Sequence, residues 1–122
     1  MISAGIITVS DKGSQGQRDD LSGPAIAEML AGAAIEIRHT IIIPDEKDQI
    51  RKTIIDCSDV KQLDLILTTG GTGVSPRDVT PDATLDVIDK QIPGMAEAMR
   101  HESMRVTPHA MISRAVAGIV GK

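Results

Sequence analysis

The stretch Thr68-Thr69-Gly70-Gly71-Thr72-Gly73-Val74-Ser75-Pro76-Arg77-Asp78-Val79-Thr80-Pro81-Asp82 lies directly behind the apolar run Leu63-Asp64-Leu65-Ile66-Leu67. A strand, a glycine loop and a helix start in this order suit a phosphorylated ligand. Gly70, Gly71 and Gly73 let the backbone turn tightly and aim N–H groups outward with no Cβ in the way. Thr69 and Thr72 flank this cradle, and Ser10 and Asp11 follow an earlier strand, so all four are candidate phosphate or ligand contacts. Arg77 adds a fixed positive charge, and Asp78 a carboxylate able to hold a metal. Thr80 and Pro81 read as the N-cap and first residue of a helix whose positive dipole end faces the loop. The chemistry predicted is the handling of a polyphosphate with a divalent metal. Taken alone, the glycine run is equally a tight turn. It is not a Walker A loop, because no Gly-Lys-Ser/Thr closes it, and it lacks the GxGxxG spacing.

Such a loop must be positioned by regular elements, and the chain alternates them. Ile6-Ile7-Thr8-Val9 reads as a buried strand, followed by a polar loop over residues 10–23. Pro24 suits a first helical position, and Ala25, Ile26, Met29 and Leu30 keep helical spacing up to Gly32. Residues 35–43 are rich in isoleucine and form a second strand, ended by Pro44-Asp45. Ile50, Ile54, Ile55 and Cys57 mark the apolar face of the next helix, before a third strand at residues 63–67. Residues 83–90 are predicted helical, Pro93-Gly94 a break, residues 95–104 another helix, and residues 113–120 strand-like. This order predicts an α/β fold, a three-layer α/β/α sandwich with a mostly parallel sheet, as one domain over residues 1–122.

Three loops then fall at the carboxyl ends of strands, where open α/β sheets bind ligands. Residues 10–23 carry Asp11, Asp19 and Asp20, residues 44–47 carry Asp45 and Glu46, and residues 68–80 carry Asp78, with Asp82 just beyond. Carboxylates converging beside a phosphate cradle are what Mg²⁺ bridged to substrate phosphates requires. Asp45 and Asp78 are read as functional carboxylates able to hold that metal, and Asp19, Asp20 and Glu46 as solvated turn formers.

Composition limits the function classes. The 122 residues contain no Phe, Tyr or Trp, so the stacking platforms of single-strand and base recognition are missing. A formal charge of −4 with no basic stripe argues against nucleic acid. A polyphosphate would need local cations: a divalent metal with Arg77, and Lys12, Arg18 or Arg114. No apolar run approaches the ~20 residues that span a bilayer, and the start of the chain lacks the basic region and cleavage site of a signal peptide. The expectation is no membrane partner and a cytoplasmic location. Cys57 is a lone cysteine among isoleucines, read as packing rather than chemistry. His39, His101 and His109 lack metal-ligand spacing. Met95 and Met99, at i and i+4, read as a core or subunit stripe.

The string TTGGTGVSPRDVTPDAT resembles the signature of the MoaB/Mog molybdopterin-binding family, which includes bacterial molybdopterin adenylyltransferases and the G domain of gephyrin. Residues 5–11 with Gly16, Asp20, Ser22 and Gly23 are similar to the family's first motif, and Pro44-Asp45 to its second. Pro93-Gly94-Met95, Glu102-Ser103-Met104 and Ser113-Arg114-Ala115-Val116-Ala117-Gly118 continue the likeness over essentially the whole chain. The resemblance implies Asp45 and Asp78 as the catalytic aspartates of Mg²⁺-dependent AMP transfer from ATP to the terminal phosphate of molybdopterin, with release of pyrophosphate. It also implies a homotrimer, with the molybdenum insertase as a further partner. Arg77 either neutralises charge in that reaction or pairs with Asp78. The family continues beyond a segment like residues 115–119 into a further strand, an Asn-Leu-Pro-Gly-type loop and a helix, so the resemblance implies a domain truncated at its C-terminus. A molybdopterin carrier or oligomerising module without adenylyl transfer is the alternative, and a nucleotide-binding regulatory domain a more distant one.

Overall fold

The computed structural model describes residues 1–17 and 21–121. Arg18, Asp19 and Asp20, named above among the first loop's cations and acids, lie outside the described residues, as does Lys122. The chain runs β1 (Ile2–Val9), α1 (Asp11–Ser14), α2 (Ser22–Ala31), β2 (Ile35–Ile43) and α3 (Lys47–Ile55), then a π-helical turn (Asp56–Val60). It continues through β3 (Leu65–Thr69), α4 (Thr80–Val87), β4 (Lys90–Gln91), α5 (Pro93–Met104), a 3₁₀ turn (Pro108–Ile112) and β5 (Gly118–Ile119).

The main sheet has the order β2-β1-β3, and both of its pairings are parallel. Parallel neighbours need crossovers, which these helices supply. From β1 the chain first moves to one side, to β2, and then passes back over β1 to β3. With right-handed crossovers, the connecting helices therefore lie on opposite faces. The strand β1 is buried at every position but the first, as a central strand covered on both faces must be. Ile7 and Val9 of β1 pack with Ile43, with Ile50 and Ile54 of α3, and with Cys57 and Ala83. The other helix, α2, lies against β1 and β2. The α/β architecture with a parallel sheet between helices is the one expected.

Several boundaries differ from the sequence reading. β1 starts at Ile2, because Ile2, Ser3 and Ala4 already pair with Ile35, Glu36 and Ile37. β3 begins at Leu65 and runs on to Thr69, two residues later than expected. Asp64 ends the preceding loop by accepting the Ser3 N–H and hydroxyl at 2.9 and 3.0 Å, and Leu63 packs beneath Gly5 instead of entering the ladder. The polar loop after β1 contains one helical turn, α1, whose N-terminus is capped by Ser10 Oγ accepting from the Gly13 N–H. Pro24 is the third residue of α2, not its first, since the helix begins at Ser22. Pro93 opens α5 rather than breaking a helix, as its missing N–H costs nothing in a first turn. The C-terminal strand is the short β5, which pairs antiparallel with β4 in a separate two-stranded ribbon. Met95 and Met99 of α5 are half exposed and so are not core. Cys57 is buried and free, and burial pushes its thiol pKa up.

Candidate functional site

The pairing register brings the three loops together. Val9 is level with Ile43, and Thr8 with both Ile42 and Thr69, so β1, β2 and β3 end at one edge. Because β2 and β3 flank β1, the crevice beyond that edge is the topological switch point of the sheet. A cavity of about 470 Å³ opens there, with Ser10, Asp45, Thr69, Gly70, Gly71 and Asp78 in its wall. Asp11 stands beside it, bonded to Asp45 in its wall, Arg77 is held in turn by Asp11, and a Cβ added at Gly73 would meet Asp78. Thr72 is the exception among the predicted contacts. It faces a second, more apolar groove of about 510 Å³ along the free edge of β3.

The glycine loop is shaped by close approach. Gly70 and Gly71 have φ of 97° and 67°, in the region that side chains avoid. A Cβ at Gly70 would collide with the Val9 carbonyl, and one at Gly71 would collide with Thr80 Oγ1 and lie 3.0 Å from Asp45 Oδ1. Gly73 carries no such backbone requirement, but a Cβ there would sit 2.7 Å from Asp78 Oδ2. Asp78 Oδ2 also accepts the Ser75 N–H at 3.1 Å, which fixes it against its own loop. Thr80 is not the N-cap of α4. The cap position is Val79, and Thr80 is the first helical residue, its N–H donating to the Gly71 carbonyl at 3.1 Å and its Oγ1 buried without a partner among the described residues.

The acids form a linked set. The Asp11 N–H donates to Asp45 Oδ2, and the Asp45 N–H donates to Asp11 Oδ1, both at 2.9 Å. Arg77 does not pair with Asp78. Its Nε and Nη2 grip the Asp11 carboxylate at 3.1 and 2.9 Å, and Nη2 also reaches Glu46 Oε1 at 2.9 Å. Asp11 and Glu46 lie on the first two loops, within reach of the third, so the guanidinium ties all three loops together. Glu46, read from the sequence as a turn former, is therefore an ion-pair partner. Exposed pairs are individually weak, but a bidentate one within a network fixes geometry. Bonding from Arg77, and then from the Asp45 N–H, holds the Asp11 carboxyl below its usual range. Burial raises Asp45, and the nearby negative charges of Asp11 and Asp78 add to that against the Asp11 hydrogen bond. A partly buried carboxylate flanked by two others is raised in this way even with the Arg77 charge acting in the opposite direction.

Arg114, expected as a free cation, is instead a strut. Its Nε donates to the Gly73 carbonyl at 2.8 Å and Nη2 to the Asp78 carbonyl at 2.6 Å, while Nη1 and Nη2 reach the Asp82 carboxylate at 3.3 and 3.2 Å. Its own N–H donates to the Thr72 carbonyl at 2.7 Å. The sequence offered no sign of this, since the partners are mostly main-chain carbonyls far away in the chain. Gly13, Leu21 and Ser22 also line the cavity and were not singled out as contacts.

Among the described residues no group of three or more His, Cys, Asp or Glu could hold a metal ion. Mg²⁺ does not need such a cage, because it keeps waters and binds one or two carboxylates together with substrate phosphates. Asp45 and Asp78 in one cavity beside a glycine cradle supply hard oxygen donors of that kind, so the residues present fit the ion.

A family model described as "Probable molybdopterin binding domain" matches residues 5–121. This chain belongs to that family. It is 44% identical over 123 residues to a molybdopterin adenylyltransferase of Helicobacter pylori strain J99, covering 99% of this chain and 70% of the relative. The Escherichia coli K12 protein of the same name is 43% identical over 121 residues, covering 97% of this chain and 61% of the relative. The crystal structure of the molybdopterin biosynthesis enzyme MoaB of Thermus thermophilus superimposes with a TM-score of 0.93 at 49% identity, over 99% of this chain and 76% of that one. Among the described residues no helix is long and apolar enough to cross a membrane.

Proposed function

We propose that this molybdopterin-binding domain is a molybdopterin adenylyltransferase, acting in molybdenum cofactor biosynthesis with ATP and molybdopterin as substrates. The observation that carries this reading is the convergence of Asp45 and Asp78 with the Gly70-Gly71 cradle in one cavity at the switch point of the sheet. The names of the relatives, matched over nearly the whole chain, favour transfer over a carrier role.

An oxygen of the terminal phosphate of molybdopterin attacks the α-phosphorus of ATP. The new phosphoanhydride forms as the bond to the β-phosphate oxygen breaks, and pyrophosphate leaves with that electron pair. The nucleophile is already anionic at neutral pH, so the protein supplies position and charge neutralisation rather than a nucleophile of its own. Asp45 and Asp78 would hold Mg²⁺, which supplies positive charge against the crowded phosphates. The backbone of Gly70 and Gly71 lets a phosphate come close. Arg77 acts as the tie between loops, its guanidinium already engaged by Asp11 and Glu46. The chain lacks aromatic residues, so ligand rings rest on aliphatic surface and main-chain hydrogen bonds.

The homotrimer implied by the resemblance would cover Met95 and Met99 of α5 and Met111 and Ile112 of the 3₁₀ turn, all of them half exposed or more. Delivery of the product to a molybdenum insertase in the cytoplasm completes the reading. The deciding experiment incubates the purified chain with ATP, Mg²⁺ and molybdopterin and measures pyrophosphate. Tight molybdopterin binding without pyrophosphate would instead support the carrier.

A further inference from the structure

Thr80 is 2% exposed, and its Oγ1 has no hydrogen-bond partner among the described residues. Buried hydroxyls are normally satisfied, and one left unmade costs free energy that a valine of the same shape would avoid. The Thr80 side chain has no capping role, since the cap of α4 is Val79. Thr80 borders the second, apolar groove, but its Oγ1 lies against Gly71, which is in the wall of the site cavity. Thr80 Oγ1 and Asp45 Oδ1 approach the same point beside the Gly71 Cα, the place where a Cβ would collide with the first and lie 3.0 Å from the second. The absence of a side chain at residue 71 leaves the way between them open.

Among the described residues the Asp45 carboxylate is held through Oδ2 alone, by the Asp11 N–H at 2.9 Å. We propose that the Thr80 hydroxyl is the hydrogen-bond donor for Asp45 Oδ1 in the substrate-loaded site, which makes Thr80 a positioning residue for this carboxylate. With a donor on each oxygen, the carboxylate plane is fixed and its remaining lone pairs face the cavity. Hydrogen bonds of this kind are commonly long in the empty site and close when ligand is present. The inference rests on the reading of Asp45 as a working carboxylate of adenylyl transfer.

The test uses Thr80→Val and Thr80→Ser in the full chain, followed by thermal unfolding without ligand and by the Mg²⁺ dependence of pyrophosphate release. Thr80→Val is expected to match or exceed the wild-type Tm, because it removes an unpartnered buried hydroxyl. It should nevertheless need about tenfold more Mg²⁺ for half-maximal activity, the order seen when a partner of a metal ligand is lost. Thr80→Ser should restore the wild-type Mg²⁺ dependence, and Thr80→Val should add nothing in an Asp45→Asn background. A Thr80→Val protein with unchanged Mg²⁺ dependence and turnover overturns the inference and leaves the functional reading standing. So does one that loses Tm in proportion to activity, since that hydroxyl would be structural. A wild-type chain that releases no pyrophosphate overturns the functional reading, and this inference with it.

Discussion

Asp11 and Asp45 clasp each other across two loops, each carboxylate accepting the other's backbone N–H at 2.9 Å. The clasp sets the distance between the end of β1 and the end of β2 at the cavity mouth, and Arg77 locks it from the third loop. Asp11→Ala removes one half of the clasp and the bidentate partner of Arg77 together. Loss of AMP transfer by about 10–100-fold is expected, from misplacement of Asp45, along with a lower Tm. Glu46→Ala removes only one Arg77 bond and should leave both nearly unchanged. Steady-state kinetics and thermal unfolding of the two variants check this.

The two carboxylates of the cavity are expected to act as one unit. Asp45→Asn and Asp78→Asn should each lower kcat by about 10²–10³, or roughly 3–4 kcal/mol, as loss of one preorganised stabilising group does elsewhere. The double variant should be scarcely worse than either single one. Additive losses would show that the two aspartates serve separate tasks.

Gly71 and Gly73 separate strain from obstruction. Gly71 has φ of 67° and the buried Thr80 side chain against it, so Gly71→Ala should lower Tm and ligand binding together. Gly73 needs no left-handed backbone, and its added methyl would meet only the Asp78 carboxylate. Gly73→Ala should keep most of the Tm while weakening Mg²⁺-dependent ATP binding, measured by calorimetry. Equal losses in both variants would mean that the loop is a structural turn throughout.

The raised pKa of Asp45 gives stability a definite sign with pH. The folded protein holds that proton more tightly than the unfolded chain, so Asp45's contribution is fully present below the ordinary carboxylate pKa of 3.8 and is lost as pH rises through the raised value. At neutral pH the ionised, partly buried carboxylate therefore works against folding. Asp45→Asn should raise Tm at pH 7, and the gain should vanish below pH 3.8. A Tm difference that does not change with pH would show that charge is not the cause.

Arg114 reaches three acceptors around the glycine loop, which only a planar fork can satisfy together. Arg114→Lys should therefore fail to rescue the turnover lost in Arg114→Ala, expected at about tenfold or more from a shifted Asp78 loop. Full activity in the lysine variant would mean that charge alone suffices.

The alternation of apolar runs with helical spacing was enough to give an α/β fold with a parallel sheet, because each signal is local: β-rich isoleucines over Ile35–Ile43, a 3.6-residue period over Lys47–Ile55. The glycine loop and the two aspartates, which share one cavity, were legible as candidates for the same reason, as residue types at fixed spacing behind a strand. What the tertiary structure decided was the partnership of side chains distant in sequence. Arg77 could be read equally as a free cation or as a partner of its neighbour Asp78, and only the β2-β1-β3 order put Asp11 and Glu46 beside it. Thr80 has an N-cap sequence, yet the first helical bond is accepted by the Val79 carbonyl, so Thr80 is already inside the helix and its side chain fills the space that Gly71 leaves. Thr72, next to Gly71, faces a different groove, since the left-handed backbone of Gly70 and Gly71 redirects the chain after the strand and the Arg114 N–H holds the Thr72 carbonyl. Local pattern specifies which elements form and which residues carry chemistry, while pairing order and register, which depend on contacts tens of residues apart, specify which of those residues meet.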